Sequence, residues 1–145
     1  MTYNTINKKL LSGQPILLDG GVGTEVMRRG VRWRQHGIED APDTIREIHT
    51  DYLKAGVDIL TTHTFNLTKR NFINFFRDGE HMSLIGASGL ASKADELCRS
   101  AISLAKEALT ETGKAETVPL AGSICLLYTS PSPRDATLSR MPSSA

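Results

Sequence analysis

The chain has 145 residues, enough for one small domain. Hydrophobic residues make up 39% and charged residues 23%, with a net charge of +1 at pH 7. These are ordinary values for a globular domain and give no footing to a nucleic-acid or acidic-membrane partner. No stretch reaches the ~18 apolar residues of a membrane span. Leu10-Leu11, before Ser12-Gly13, is too short for a signal-peptide core, so the expected compartment is the cytoplasm. The two cysteines, Cys98 and Cys125, have neither metal nor disulfide spacing, and Cys98 reads as a free buried thiol.

In chain order, Thr5 to Leu11 reads as a short opening helix. Pro15 to Asp19 is an apolar run ending in an acid, followed by Gly20-Gly21, the pattern of a buried strand with a sharp exit. Thr24 to Arg29 reads as a helical turn closed by Gly30. Val31 to Asp40, carrying Trp33, lacks a period and reads as a loop. Pro42 opens a helix where a missing N–H costs nothing. Ile45, Ile48, His49, Tyr52 and Leu53 share one face of it, and Gly56 ends it. Val57 to Thr62 is the next β-prone run. Asn66 to Phe76 reads as helical and Arg77 to Gly89 as a loop. Leu90, Ala94, Leu97, Ala101, Leu104, Ala105 and Ala108 mark a long helix with an apolar stripe. Thr117 to Ile124 is a third apolar run. Strand, helix, strand, helix, strand is the order of a parallel α/β sheet with crossover helices. A doubly wound sheet and a (β/α)₈ barrel both fit this order.

Two segments carry chemistry at expected strand ends, where both architectures place their sites. The first is Asp19-Gly20-Gly21-Val22-Gly23-Thr24-Glu25. Its glycines let a ligand approach the backbone, and Asp19 suits an ammonium group. Gly21 to Val26 matches only the first two glycines of a dinucleotide loop, a weak signal for a phosphate. The second is Ala55 to Asn66, with Thr62, His63 and Thr64 at the end of the strand, where hydroxyls bind polar atoms while Phe65 walls a pocket. His63 reads as a hydrogen-bonded structural residue. His49, on an apolar face, is expected to pack with its polar end satisfied. His36, His49 and His81 show no ligand spacing.

Residues 125–145 change abruptly to Ser, Pro, Thr and Arg, with no apolar period. The segment also looks like a translated sequencing adapter, with an index at Ala136 to Leu138. It is therefore expected to be non-native and disordered, leaving 1–124 as the native part.

Taken in order, Ile16 to Glu25, Ala41-Pro42 with Ile48-His49 and Tyr52 to Gly56, Asp58 to Phe65, and Ala121 to Ile124 resemble the homocysteine S-methyltransferase family. The family usually has Met at Val22, often Asn at His63, and Gly-Pro after Ile124. The resemblance covers residues 10 to 124. It implies a truncated (β/α)₈ TIM barrel with about three of the eight strands of a fold that needs ~250 residues. It also implies zinc-dependent transfer of a methyl group to the homocysteine thiolate, giving methionine. The donor would be a sulfonium compound such as S-methylmethionine or S-adenosylmethionine, or betaine or a methylated folate. The resemblance implies three cysteine zinc ligands, one on a later strand and an adjacent pair near the end of the domain, so none is expected within this chain, which is expected to be inactive by itself. By position, Asp19, Gly20, Gly21, Thr62 and Phe65 would face homocysteine. The alternatives are another α/β enzyme with a phosphate-binding glycine turn, or a non-enzymatic binding fragment.

Overall fold

A computed structural model of the chain describes residues 2–31, 35–65, 67–68 and 90–124. The elements in order are α1 (Thr2–Leu11), α2 (Val22–Arg28), a 3₁₀ turn (Gln35–Gly37), α3 (Pro42–Ala55), β1 (Leu60–Thr61), α4 (Leu90–Glu111) and β2 (Leu120–Ala121). Trp33 and residues 69–89, where a helix and a loop were expected, lie outside the described residues. So do 125–145.

The helices follow their apolar periods. Helix α3 begins with Pro42 in its first turn and ends at Gly56, which adopts φ 90°; the Gly56 N–H donates to the Leu53 carbonyl and the Val57 N–H to the Tyr52 carbonyl. The left-handed backbone at that point favours glycine. Lys114 adds a side-chain hydrogen bond to the Leu53 carbonyl, so a cation covers the end of the helix where the dipole is negative. Helix α4 runs three residues past Ala108, the last apolar position read from the sequence pattern.

The three apolar runs make a smaller sheet than expected. Strands β1 and β2 pair in parallel, Leu60 with Leu120 and Thr61 with Ala121. The first run, Pro15 to Asp19, contributes only a parallel bridge between Leu18 and Ile59. Leu17 and Leu18 are 55% and 61% exposed, so this run is not the buried strand that its composition predicts. Its main anchors are the N–H groups of Asp58 and Ile59 on the Leu17 carbonyl, and the Leu17 N–H on the Asp58 carboxylate. Lys9 of α1 pairs with the same carboxylate. The spatial order is therefore first run, β1, β2, with all three parallel and α4 lying between β1 and β2 in sequence.

The core packs on one side of this sheet. Ile45 and Ile48 of α3 meet Leu97, Ala101 and Leu104 of α4, with Val22 and Val26 of α2 completing the group. Farther along, Leu53 meets Leu60, Ala105, Ala108, Leu109 and Val118. Ala94, Ala101, Ala105 and Ala108 are at most 1% exposed. Small side chains on that stripe let α3 approach α4 closely, as ridge-and-groove packing requires. The packed face leaves the carboxyl ends of the strands open, and the polar residues gather there. No helix among the described residues is long and apolar enough to cross a membrane.

Candidate functional site at the carboxyl ends of the strands

A cavity of about 240 Å³ lies at the strand ends, lined by Gly20 to Gly23, Thr61 to His63, Phe65 and Ser123. Four residues expected to face a ligand, Gly20, Gly21, Thr62 and Phe65, are thus brought together around one space. Asp19 is not part of the lining. Its carboxylate turns into Thr61, whose N–H donates to Oδ2 at 2.9 Å and whose hydroxyl lies 2.8 Å from Oδ1 and 2.9 Å from Oδ2. Burial pushes the Asp19 carboxyl above its ordinary range, and the Thr61 hydrogen bonds hold it back.

A second polar link joins β1 to the end of β2. The Thr64 hydroxyl donates to the Ser123 carbonyl at 2.8 Å. A hydroxyl has one proton, so the 2.7 Å contact between Thr62 and Thr64 is made by the Thr62 hydroxyl donating. The Ser123 N–H in turn donates to Thr62 Oγ1 at 3.2 Å. The hydroxyl proton of Thr62 is committed within this ring, and its oxygen keeps one lone pair.

Gly20 has a different reason to be glycine from the one its motif implies. A Cβ at Gly20 would meet the Tyr52 hydroxyl at 2.6 Å. The space beside that backbone is filled by α3, not left for a ligand. Tyr52, expected only as a core residue, thereby shapes the turn. The phenol is raised above its usual range, first by burial and then by the charges of Glu25 and Asp19.

Three histidines lie behind the rim. The His63 Nε2–H donates to the His36 carbonyl at 2.9 Å, consistent with the structural role read for it, and His63 also lines the cavity. The His36 and His63 rings meet edge to face, with centroids 5.7 Å apart. His36 takes φ 60°, a left-handed conformation uncommon for a side-chain-bearing residue. Its ring is hydrogen-bonded to the Phe65 backbone, and burial lowers it to about 4. His49 departs from expectation. It is fully buried on α3, and among the described residues neither ring nitrogen has a hydrogen-bond partner. Burial, with His63 adding to it, lowers His49 to about 4, so both rings stay neutral near pH 7. The apolar period placed His49 inside correctly, but the described residues supply no partner for its polar end.

Cys98 is half-buried on α4 and donates to the Leu67 carbonyl at 3.3 Å. Burial pushes its thiol up, the opposite of what a metal-binding thiolate needs. Among the described residues, no group of three or more His, Cys, Asp or Glu side chains is arranged to hold a metal ion.

Parallel strands joined through helices, with a small cavity at their carboxyl ends, define an α/β chain of the kind that places ligand sites at that end. The comparisons give the family. A family model described as homocysteine S-methyltransferase matches residues 16–141, and the chain belongs to this family. The homocysteine S-methyltransferase of Escherichia coli is 33% identical over 132 residues, covering 86% of this chain and 39% of that protein. An S-methylmethionine–homocysteine S-methyltransferase of Mus musculus is 33% identical over 70 residues, covering 46% of this chain and 19% of that protein. The crystal structure of the homocysteine methyltransferase MmuM from Escherichia coli, in a metallated form, has a TM-score of 0.54 at 28% identity. That likeness covers 90% of this chain and 42% of the other. The chain thus spans well under half the length of these relatives. The family match also runs past Ile124 into the segment where composition changes.

Proposed function

We propose that these residues form part of the homocysteine pocket of a homocysteine S-methyltransferase. The observation that carries this reading is the single cavity ringed by the Gly20-Gly21 turn, Thr62 and Phe65, in a chain of that family. Asp19 supplies negative charge for the ammonium end of homocysteine. Thr62 offers it a further oxygen, the glycine turn lies along the amino-acid part, and Phe65 walls the pocket. The reaction is attack by the homocysteine sulfur, as thiolate, on the methyl carbon of the donor. A sulfur–carbon bond forms, the bond from methyl to donor breaks, and the electron pair leaves with the donor, while the thiol proton goes to solvent. Methionine is the product. A sulfonium donor such as S-methylmethionine or S-adenosylmethionine fits this chemistry, because its leaving group departs as a neutral sulfide. The relatives' names support S-methylmethionine in particular. The expected architecture is a (β/α)₈ barrel of which this chain supplies about the first three strands, and the expected compartment is the cytoplasm.

Zinc belongs to this reading of the intact protein, and the relative solved in a metallated form supports a metal. The described residues do not fit it: they offer no ligand group, and Cys98 is bonded to a carbonyl. We therefore assign no step to a metal in this chain and propose that the 145 residues alone do not turn over homocysteine. We propose further that residues 125–145 are foreign to the native protein. The composition change supports this, and the span of the family match is the argument against it. Reading the genomic frame beyond Ile124 decides between them. The activity is tested by supplying S-methylmethionine and homocysteine to the protein of the uninterrupted frame and measuring methionine by mass spectrometry. Absence of methionine with every sulfonium, betaine and folate donor would overturn the proposal.

A further inference from the structure

We propose that His36 and His63 form an acid-sensitive latch that holds one wall of the cavity closed, whatever ligand the cavity takes. Each of the two rings binds the backbone of the other's segment. The His63 Nε2–H donates to the His36 carbonyl at 2.9 Å, and the His36 ring bonds the Phe65 backbone. These bonds tie the 3₁₀ turn (Gln35–Gly37) to His63 and Phe65, both of which line the cavity. Backbone preference does not hold the turn there, since His36 takes φ 60°. Beyond the turn, Ile38 is buried in the core and the Gly37 carbonyl accepts from Ala41, so the lead into α3 is anchored separately.

Both bonds have the histidine ring as donor, and a protonated ring still donates. What acid adds is charge, a second N–H on each ring, with the ring centroids 5.7 Å apart. His49 of α3 is a third buried ring, acted on by the charge of His63. On the surrounding elements, Asp19 is bonded to Thr61, Glu25 of α2 to Arg28, Glu39 to Lys93 of α4, and Cys98 of α4 to the Leu67 carbonyl, while Tyr52 of α3 lies against Gly20. Burial lowers His36 and His63 even though their backbone bonds favour the charged rings. A lifted turn exposes the rings, which then take up protons near the ordinary value of 6.5. The closed form is therefore favoured above that value and loses ground as pH falls toward 4. For His36 the ratio of closed to open should drop roughly tenfold by pH 5, less than its full shift implies because the ring is only half-buried.

The test needs no ligand. NMR of the full 145-residue chain, with and without His49→Leu, follows the histidine rings and Phe65 from pH 7.5 to 4. The nuclear Overhauser contact between the His36 and His63 rings should be present at pH 7.5. It should fade in the same step in which both rings gain protons and the Phe65 signals move. The methyl signals of Ile48 and Leu97 should stay in place through that step. Rings that protonate while still in contact overturn the proposal. So does loss of the Ile48 and Leu97 signals in the same step, since that is unfolding of the core and not release of a wall. Replacing both histidines by asparagine keeps a side-chain N–H at each position without a titrating ring, and asparagine tolerates the left-handed backbone at position 36. That double variant should show no acid step at Phe65, and a Phe65 that still moves counts against the latch. In His63→Asn alone, His36 should titrate closer to its ordinary value because the neighbouring charge is gone. An unchanged His36 titration there breaks the coupling on which the latch depends.

Discussion

Replacing His49 by leucine tests the least expected feature of the core. Both nitrogens of this buried ring lack partners, and a neutral imidazole carries one N–H. Leaving such a donor unsatisfied costs about 1–3 kcal/mol. Leucine is of similar volume and suits the face that Ile45, Ile48 and Leu53 already occupy. At pH 7.5 His49→Leu should therefore be as stable as the parent chain or more stable. The larger signature is in the pH dependence. The folded His49 titrates at about 4 against an ordinary value of 6.5. Between those values the unfolded chain holds a proton that the folded chain does not, so stability falls as pH falls through the window and is flat above it. A gap of that size is worth about 3 kcal/mol by pH 4. His36, also lowered to about 4, and His63, lowered by burial, act in the same direction and remain in the variant.

Urea unfolding followed by circular dichroism at several pH values between 7.5 and 4 measures both effects. The parent chain should lose about 3 kcal/mol more than His49→Leu over that range. The slope with urea should be the same in both, since the exposed surface hardly changes. The reasoning fails if the variant is more than about 1 kcal/mol less stable at pH 7.5, since His49 would then have a favourable partner. It also fails if the acid-side slope is unaltered.

Three further substitutions probe the frame around the site. Leu53→Ala removes a fully buried side chain from between α3, β1 and α4, and should cost about 2–5 kcal/mol in the same urea assay. Gly20→Ala puts a Cβ against the Tyr52 hydroxyl and should destabilise by about 1–3 kcal/mol. Adding Tyr52→Phe should recover part of that loss, and a double-mutant cycle with no coupling would refute the contact. Thr64→Val opens the ring between Thr62 and Ser123, at about 1 kcal/mol. Amide exchange at Ser123 and at Thr62, which pairs with Ala121, should quicken more than in the α3–α4 core.

The helices were legible because their apolar period repeats over many residues. Ile45, Ile48 and Leu53 are buried as the 3.6-residue spacing predicts, and so are Ala94, Ala101, Ala105 and Ala108 of α4. The strands were legible in position but not in extent. An apolar run such as Ile16-Leu17-Leu18 records a capacity for burial, and whether it is buried depends on what packs over it. Leu17 and Leu18 lie exposed on a single bridge, although their composition matches that of a central strand. The family was legible from the order of several short motifs, none of them specific alone.

The inner chemistry of the site was not legible, for a physical reason. Asp19 and Thr61 lie 42 residues apart, and only the parallel register of neighbouring runs sets the carboxylate beside that hydroxyl. A shift of one residue would exchange the faces of the strand and put Leu60 or Thr62 in its place. Tyr52 reaches Gly20 across the same kind of distance, from a helix face that the apolar pattern marked only as core. Motifs at strand ends therefore identify the groups that can bind an amino acid. The register decides which of them line the cavity and which stand behind its wall. In this chain it turns the Asp19 carboxylate onto Thr61, so the acid lies outside the cavity lining while Thr61 belongs to it.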